Sequence, residues 1–565
     1  MCALAAAAVA VAVAAGAAWG QSSTSGAIAG IVTDQATGDP LPGVTVVVSS
    51  PSLQGVQSAL TDGRGSYKID SLPPGIYMVT FYIGDGQVQR RGIHVNLSRV
   101  TRVDQKLDVT AAGGEVVVVD AKAPTIDTTR TDEGITVDKD YLKHIPVPGR
   151  TFGAALGAAA GSAGDSRGVG FSGSTSLENS YVIDGVNTTG LSFGSIGTDL
   201  INEFIEEIQV LTGGYQAEFG RATGAVVNVI TKSGSNEFHG SVFSTITPYV
   251  RPRERIFQVT SAIDSDIKLD YQADFGVELG GPIVKDRVWF YVGFAPRFVR
   301  NNVARIVKSR RDCQLPLEDG SLTPCSPDNA DGQPDEDPTT GLLLFEEVDR
   351  DEFKTLAQSY QFVSKVSFAL TPEHQGSLSI LGTPTSGEGI FGVFGTRNAT
   401  RADFTSLNTD VAARWTSKFN DNKTQVEGLF GWHRDKYDQD AIDQSLNDVP
   451  TIRVFLANLG EYGRAGQESQ RVLAGCTDGV STDKYPQIEN CPVFQYWLDS
   501  PGFIIDNLED RKSGQIKLTQ RAQLAGHHEI KVGADVENNL TRDVRKLNGG
   551  VFYQHIPDSS YLQNR

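Results

Sequence analysis

The sequence predicts a mostly β protein that contains a small N-terminal β-sandwich and, in its C-terminal half, an antiparallel sheet that crosses a membrane. Two observations predict these parts. Short β-branched runs recur over residues 25–110 and are separated by turn residues such as Thr61-Asp62-Gly63-Arg64-Gly65. From Glu237 onward, apolar residues recur with a period of two, and short connections alternate with long ones.

Residues 1–20, MCALAAAAVAVAVAAGAAWG, are predicted to be a secretory signal peptide. The segment has an Ala/Val-rich apolar run and small residues near its end. It carries no Lys or Arg, which is atypical, and a start codon further upstream would account for that. A membrane anchor is the alternative interpretation, but the run is short for a spanning helix. The signal interpretation predicts an exported protein.

The net charge and the cysteine content indicate which partners and which cysteine chemistry to expect. The chain has 565 residues and a formal net charge of −18, so a nucleic-acid partner is not expected. Besides Cys2, the cysteines fall into two close pairs, Cys313 with Cys325 and Cys476 with Cys491. An even number in an exported chain predicts two local disulfides. Zinc would need tighter pairs or nearby histidines and is therefore not expected.

The first domain, residues 25–110, has a distinctive order of turns. Pro42-Gly43 precedes a valine-rich strand, and Leu72-Pro73-Pro74-Gly75 leads into another strand. This order resembles the carboxypeptidase regulatory-like domain, a prealbumin-like β-sandwich that is non-catalytic in its family. The chain contains no His-x-x-Glu spacing, Walker loop or G-x-S-x-G motif. We therefore expect a structural extension and no enzyme activity.

The middle domain, residues 115–235, carries the most specific motifs. Ile205–Val210 reads IEEIQV, Val227–Lys232 reads VNVITK, and Tyr181–Asn187 reads YVIDGVN. These motifs resemble the plug of TonB-dependent outer-membrane receptors, in the Oar-like branch that has a regulatory-like N-terminal extension. Gln209 stands where an acid is commoner in that pattern. The resemblance implies an α+β plug seated inside a transmembrane barrel of about 22 strands.

Residues 236–565 are predicted to form the first part of that antiparallel barrel. Phe275, Val277 and Leu279 alternate with polar or small residues, and about nine such strands can be drawn. The connections alternate between short and long, as Gly280–Asp286 and Asn301–Leu356 illustrate, which is typical of tight periplasmic turns and long external loops. An open sheet would leave unpaired backbone groups in lipid, so we expect a fragment of a longer chain.

A valine run between the first two domains is a candidate TonB box. It follows the linker Ala111-Ala112-Gly113-Gly114 and consists of Glu115, Val116, Val117, Val118 and Val119. In the receptor family, a short strand before the plug pairs with the C-terminal domain of TonB, and such strand addition needs an extended segment with free backbone groups. The first strand of the plug, or the last of the sandwich, is the alternative interpretation.

The resemblance also suggests where an external ligand binds. The candidates are plug residues Asn179, Tyr181, Asp184 and Asn187, which belong to or adjoin the YVIDGVN motif. Side chains at the plug apex and in the external loops contact the ligand in the receptor family.

An acidic loop is a candidate calcium site. Asn329, Asp331, Asp335 and Asp337 have a spacing that resembles half of a thrombospondin-type calcium repeat. Calcium takes six to eight oxygen ligands, and glycine permits the tight wrap that they need. A solvated acidic loop is the alternative, because Pro327 occupies the first ligand position of an EF-hand spacing. No other cofactor is expected.

Taken together, the resemblance implies a receptor in the outer membrane of a Gram-negative-type cell, with its N-terminal domain in the periplasm. Its expected partners are the periplasmic domain of TonB, outer-membrane lipid, and an external small-molecule, glycan or protein ligand that it takes up. An outer-membrane adhesion or protein-export component with the same architecture is the alternative. A soluble secreted adhesin is a third hypothesis.

Overall fold

The structure is a computed structural model. It describes residues 24–84, 86–108, 116–120, 133–144, 149–215, 218–220, 222–249, 261–390, 394–420, 422–523, 527–555 and 562–564. The predicted signal peptide lies outside the described residues. Among the described residues, no helix is both long and apolar enough to cross a membrane. The chain is mostly β, as the sequence predicts.

The N-terminal part is a sandwich of two sheets around one core. Its strands are β1 (Gly26–Asp34), β2 (Thr45–Ser49), β3 (Gln57–Leu60), β4 (Ser66–Leu72), β5 (Gly75–Ile83), β6 (Gly86–Val95), β7 (Val100–Arg102), β8 (Gln105–Leu107) and β9 (Val116–Asp120). One sheet has the order β4-β1-β7, with β8 also paired to β1, and the other has the order β3-β2-β5-β6-β9. Inward side chains such as Ile28, Val46, Val79 and Phe81 are fully buried, because alternate residues of a strand face the core.

The plug is built on a five-stranded mixed sheet with the order β10-β15-β16-β13-β14. The elements are β10 (Glu133–Asp138), α1 (Lys139–His144), α2 (Phe152–Ala155), β11 (Ser162–Gly164), β12 (Val169–Phe171), β13 (Ser180–Ile183), β14 (Val186–Asn187), β15 (Ile205–Gly213) and β16 (Val226–Thr231). All six residues of β16 are buried. This explains its continuous β-branched sequence, which is typical of a strand covered on both faces.

A nine-stranded antiparallel sheet follows within the described residues, with the order β17-β18-β19-β20-β21-β22-β23-β26-β27. Its strands are β17 (His239–Pro248), β18 (Ile263–Val284), β19 (Val288–Arg310), β20 (Phe345–Thr371), β21 (His374–Ile390), β22 (Arg401–Phe419), β23 (Thr424–Ala441), β26 (Phe503–Gln523) and β27 (His527–Leu547). The two faces differ: Val242, Phe430, Ile516 and Val532 point outward and are more than half exposed. An apolar outer face is typical of a sheet that contacts lipid.

The strands are longer than the sequence pattern predicts. Asn301–Arg310 and Phe345–Leu356, expected to be loop, pair with each other as parts of β19 and β20. Strands of up to 27 residues exceed the 9–11 residues that cross a bilayer. The hairpins therefore project beyond the membrane. The projecting segments carry polar side chains, so the sequence shows no alternation of apolar residues there, although the backbones stay paired.

The longest connection, between β23 and β26, folds into a small external subdomain. It contains β24 (Thr451–Asn458), α3 (Leu459–Tyr462), α4 (Gln470–Cys476) and β25 (Pro492–Leu498), and β24 also pairs with β28 (Phe552–His555), which pairs with β29 (Leu562–Asn564). Val454, Leu459 and Tyr496 belong to its core. The structure joins Cys476 to Cys491 within it, and Cys313 to Cys325 in the connection between β19 and β20.

Candidate functional site

Asp184 lies at the tight turn between β13 and β14, in a left-handed conformation with φ of 48°. Its carboxylate accepts hydrogen bonds from the Thr231 backbone N–H (3.1 Å) and hydroxyl (2.6 Å) and from Lys365 Nζ (2.9 Å). Lys365 belongs to the barrel strand β20. The Asp184 side chain is only 7% exposed. It connects the plug to the barrel, and it lines a cavity that the N-terminal sandwich also borders.

The neighbouring candidates Asn179 and Tyr181 are also buried. Asn179 Nδ2 donates to the Val169 carbonyl (2.7 Å) and lies 3.2 Å from the Tyr181 hydroxyl, and Asn179 Oδ1 accepts from the Ala225 N–H (2.9 Å). Burial raises the pKa of Tyr181 above its ordinary value. These two side chains join β13 to the adjoining loops of the plug.

Asn187 lies beside a cavity. Its carbonyl accepts a hydrogen bond from Arg511 Nη1 (2.9 Å) and its Oδ1 accepts from the Thr189 N–H (3.1 Å). A polar cavity of about 240 Å³ lies between this part of the plug and strands β26 and β27. Its lining consists of Asn179, Ser180, Asn187, Thr189, Arg511, Glu537 and Asn539. The structure thus brings Asn179 and Asn187 to one cavity. Asp184 lines a different cavity, and Tyr181 lines neither of the two.

Sequence reasoning missed the barrel residues that hold the plug loop between β14 and β15. Asp410 accepts a hydrogen bond from the Thr198 hydroxyl (2.6 Å) and contacts His433 Nδ1 (2.5 Å). Glu509 accepts from the N–H groups of Leu191 (2.6 Å) and Ser192 (3.0 Å). The alternation of strand residues marks these acids as inward-facing, but it gives no information about which plug residue each one meets.

The candidate TonB box is a strand of the sandwich in this structure. Val116–Asp120 forms β9, which pairs in parallel with Gln87–Arg91 of β6 at the edge of the second sheet. Glu115 lies outside the described residues. One alternative from the sequence, a last strand of the sandwich, therefore matches the observed pairing, although the predicted boundaries assign residues 115–120 to the plug. A role in binding TonB stays a prediction.

The acidic residues of the candidate calcium loop each bind nearby backbone. Asp335 is buried and accepts from the N–H groups of Cys313 and Gln314 (both 3.1 Å), and Asp337 accepts from the N–H groups of Thr339 (2.8 Å) and Thr340 (3.0 Å). Asp331 accepts from the Gln333 N–H, while Asn329 donates to the Pro324 carbonyl. Within the described residues, no group of three or more His, Cys, Asp or Glu side chains is arranged to hold a metal. Calcium binding stays a prediction.

Comparisons with known proteins agree with this architecture. The carboxypeptidase regulatory-like domain family matches residues 27–108, and the outer membrane beta barrel domain family matches residues 230–309. The TonB-dependent transporter Oar of Myxococcus xanthus is 34% identical over 570 residues, which is 95% of this chain and 51% of the relative. Over almost its whole length, the chain is thus similar to a TonB-dependent transporter. It spans about half the length of this curated relative.

Solved structures of an outer membrane transporter and a siderophore receptor also align with the chain. The outer membrane transporter YddB from Escherichia coli has a TM-score of 0.46 and 12% identity, over 76% of this chain and 51% of that chain. The siderophore receptor PirA from Acinetobacter baumannii has a TM-score of 0.33 and 13% identity, over 76% and 60%. The predicted kinship with TonB-dependent receptors, the mostly β fold class and the outer-membrane location are confirmed.

Proposed function

We propose that this chain is part of a TonB-dependent outer-membrane transporter that takes up an external ligand. The observation that supports the proposal is how the plug is held against the barrel sheet. Many of the contacts are hydrogen bonds and ion pairs, including Lys365 with Asp184 and Lys517 with Glu218. Water can replace such contacts, and each is worth only about 0.5–1.5 kcal/mol net, or about twice that when charged. A plug held in this way suits a channel that opens and recloses.

TonB is the proposed energy source, and the valine strand β9 is its proposed contact. A TonB domain would bind this segment by strand addition, which uses backbone N–H and C=O groups rather than side chains. Because β9 is the last strand of its sheet and pairs with β6 on one side, we propose that a TonB strand adds to the other side of β9. We propose no catalytic step in this cycle.

A proline substitution tests the TonB contact. Val117→Pro removes a backbone N–H and fixes φ, so it should weaken binding of the purified TonB periplasmic domain to the full-length receptor by about tenfold or more. Ala112→Pro, in the linker before the strand, is the matched control and should bind normally. Binding is measured by calorimetry. Equal affinity of both variants and the unmodified protein would show that the contact lies elsewhere.

Adhesion or protein export is the second candidate function, and the external subdomain favours it. Residues 451–498 contain a disulfide and share a buried core with the outer parts of β18 and β19, through Ile263 and Val307. The connection between β19 and β20 carries the second disulfide. Large external surfaces that are held by disulfides suit a macromolecular partner. Cell adhesion or secretion that persists in a strain without TonB would favour this alternative over uptake.

A further inference from the structure

The N-terminal sandwich lies against the end of the barrel sheet that carries the short turns, and buried charges join the two. Lys68 Nζ lies 2.8 Å from Glu529 Oε2, and Asp70 lies 3.0 Å from Arg521, which also contacts Glu529 at 3.0 Å. None of these four side chains is more than 18% exposed. Charges are rarely buried unless they are paired, so this matched set indicates a specific docking surface.

Neighbouring barrel strands extend the same surface. Lys418, near the end of β22, donates to the Asp70 carbonyl (2.8 Å) and to Gln57 Oε1 (3.1 Å). Gln425, at the start of β23, donates to Ser71 Oγ (3.2 Å). The short turn between β22 and β23 is thus fixed to the sandwich from both sides. Since short turns face the periplasm in outer-membrane barrels, the sandwich covers the periplasmic rim.

The sandwich holds the plug as well as the barrel. The Leu97 N–H donates to Glu207 Oε1 (2.7 Å), and Gln209 Nε2 donates to the Leu97 carbonyl (3.0 Å). Glu207 and Gln209 are successive buried residues on one face of β15. One backbone position of the sandwich therefore binds the central plug sheet through both of its polar groups.

A polar cavity of about 460 Å³ lies where the three parts meet. Pro51 and Pro73 of the sandwich line it together with Lys232 of the plug and Glu278 and Arg414 of the barrel. The sandwich therefore bounds the space beneath the plug on the periplasmic side. Any movement of the plug in that direction meets the sandwich.

We propose that the regulatory-like sandwich is a periplasmic clamp that is docked on the barrel rim and on the plug at the same time. The sandwich must dissociate from this docked position before the plug can move. Its docking surface on the barrel is the set of Lys418, Gln425, Arg521 and Glu529, and its contact with the plug is Leu97 on Glu207 and Gln209. The clamp requires neither an external ligand nor TonB, so it goes beyond the proposed function.

A cleavable cross-link tests the docked position. Lys68→Cys with Glu529→Cys places two thiols where the ion pair lies, and a short cleavable bismaleimide should join them within one molecule of the full-length receptor in outer-membrane vesicles. His94→Cys with Glu529→Cys is the control, because His94 is an exposed residue of the opposite sheet. Efficient linkage of the first pair alone is expected. No linkage, or equal linkage of both pairs, overturns the docking.

Hydrogen exchange tests the clamping. In mild urea, the plug strand Ile205–Gly213 should exchange about tenfold more slowly in the linked protein than in the same protein after the linker is cleaved. The outer parts of the barrel strands serve as the internal reference. Equal exchange before and after cleavage overturns the clamp. Because transport is not measured, a failure of the proposed uptake function would leave this result unchanged.

Discussion

At the scale of single residues, one departure from the family pattern has a physical explanation. Gln209 occupies a position where an acid is commoner, and its amide donates a hydrogen bond to the Leu97 carbonyl. An ionised carboxylate has no hydrogen to donate there. Glu207, two residues earlier, accepts from the Leu97 N–H. The donor and the acceptor on β15 thus match the two polar groups of one sandwich residue.

Glu207 should make this contact sensitive to pH. Burial raises its pKa from 4.5 to about 8, against smaller opposing effects of the Leu97 N–H and Arg99, while Glu206 and Asp138 add to the rise. Below about pH 4.5 the Glu207 carboxyl is neutral both when the sandwich is docked on the plug and when it is not. Ionisation of Glu207 therefore does not oppose docking in this pH range. As pH rises towards 8, only the free form ionises, and docking weakens by an amount on the order of a few kcal/mol.

Glu207→Gln should remove this pH dependence, because the amide oxygen still accepts from Leu97 and nothing ionises. The measurement is hydrogen exchange of the Leu97 segment between pH 6 and 9, corrected for intrinsic rates. The unmodified protein should lose protection with rising pH, and the variant should keep it. The same loss in both proteins would assign the effect to another group.

Asp184 should act in stability rather than in ligand contact. Asp184→Ala removes the charged partner of Lys365, which keeps only the neutral Thr231 oxygens as acceptors. Loss of one partner of a buried pair costs about 3–5 kcal/mol. The urea midpoint for loss of the plug should fall accordingly. Asn187→Ala, at the edge of the cavity, should cost about 1 kcal/mol or less. Similar midpoints for the two variants would contradict the assignment of Asp184 to the plug–barrel contact.

At the scale of elements, periodicity predicted the existence of the strands well and their ends poorly. Apolar alternation at Phe275, Val277 and Leu279 marks the lipid-facing stretch of β18, and the short turns follow from the same pattern. Outside the bilayer the outer face of a hairpin needs no apolar residues, so Asn301–Arg310 gives no such signal. The valine run at residues 116–120 fits either neighbouring domain, because strand propensity does not specify a pairing partner.

The external subdomain should depend on its disulfide. Replacement of Cys476 and Cys491 by Ser removes a cross-link that spans 15 residues, and such cross-links contribute about 2–4 kcal/mol. Limited proteolysis of intact cells should then cut within residues 451–498 at lower protease concentration. Replacement of Cys313 and Cys325 is the matched control and should leave this region as resistant as before. Unchanged cleavage in the first variant would show that the core alone suffices.

At the scale of the whole molecule, the order of the three parts was predictable and their contacts were not. Motifs identified the sandwich and the plug, because they record local turns and strands. The pairs Lys68 with Glu529 and Leu97 with Glu207 join residues far apart in sequence. Lys and Glu are ordinary surface types, and Leu97 makes its contact through the backbone, so neither pair is marked in the sequence. Of the ligand-site candidates, Asn179 and Asn187 share one cavity and Asp184 lines another. The motif could not separate these positions, because its residues also make the plug's internal hydrogen bonds.

The membrane location of the sheet predicts an asymmetry between its two faces. Ile516 points outward and is 59% exposed, whereas its neighbour Gln515 faces the other side. Ile516→Arg places a charge against lipid at a cost of about 2–4 kcal/mol near the midplane, and Gln515→Arg places it in a polar interior. In the full-length receptor, the first variant should assemble poorly, as measured by the heat-modifiable fraction on gels, and the second should assemble normally. Equal assembly would mean that the outward face of β26 does not contact lipid.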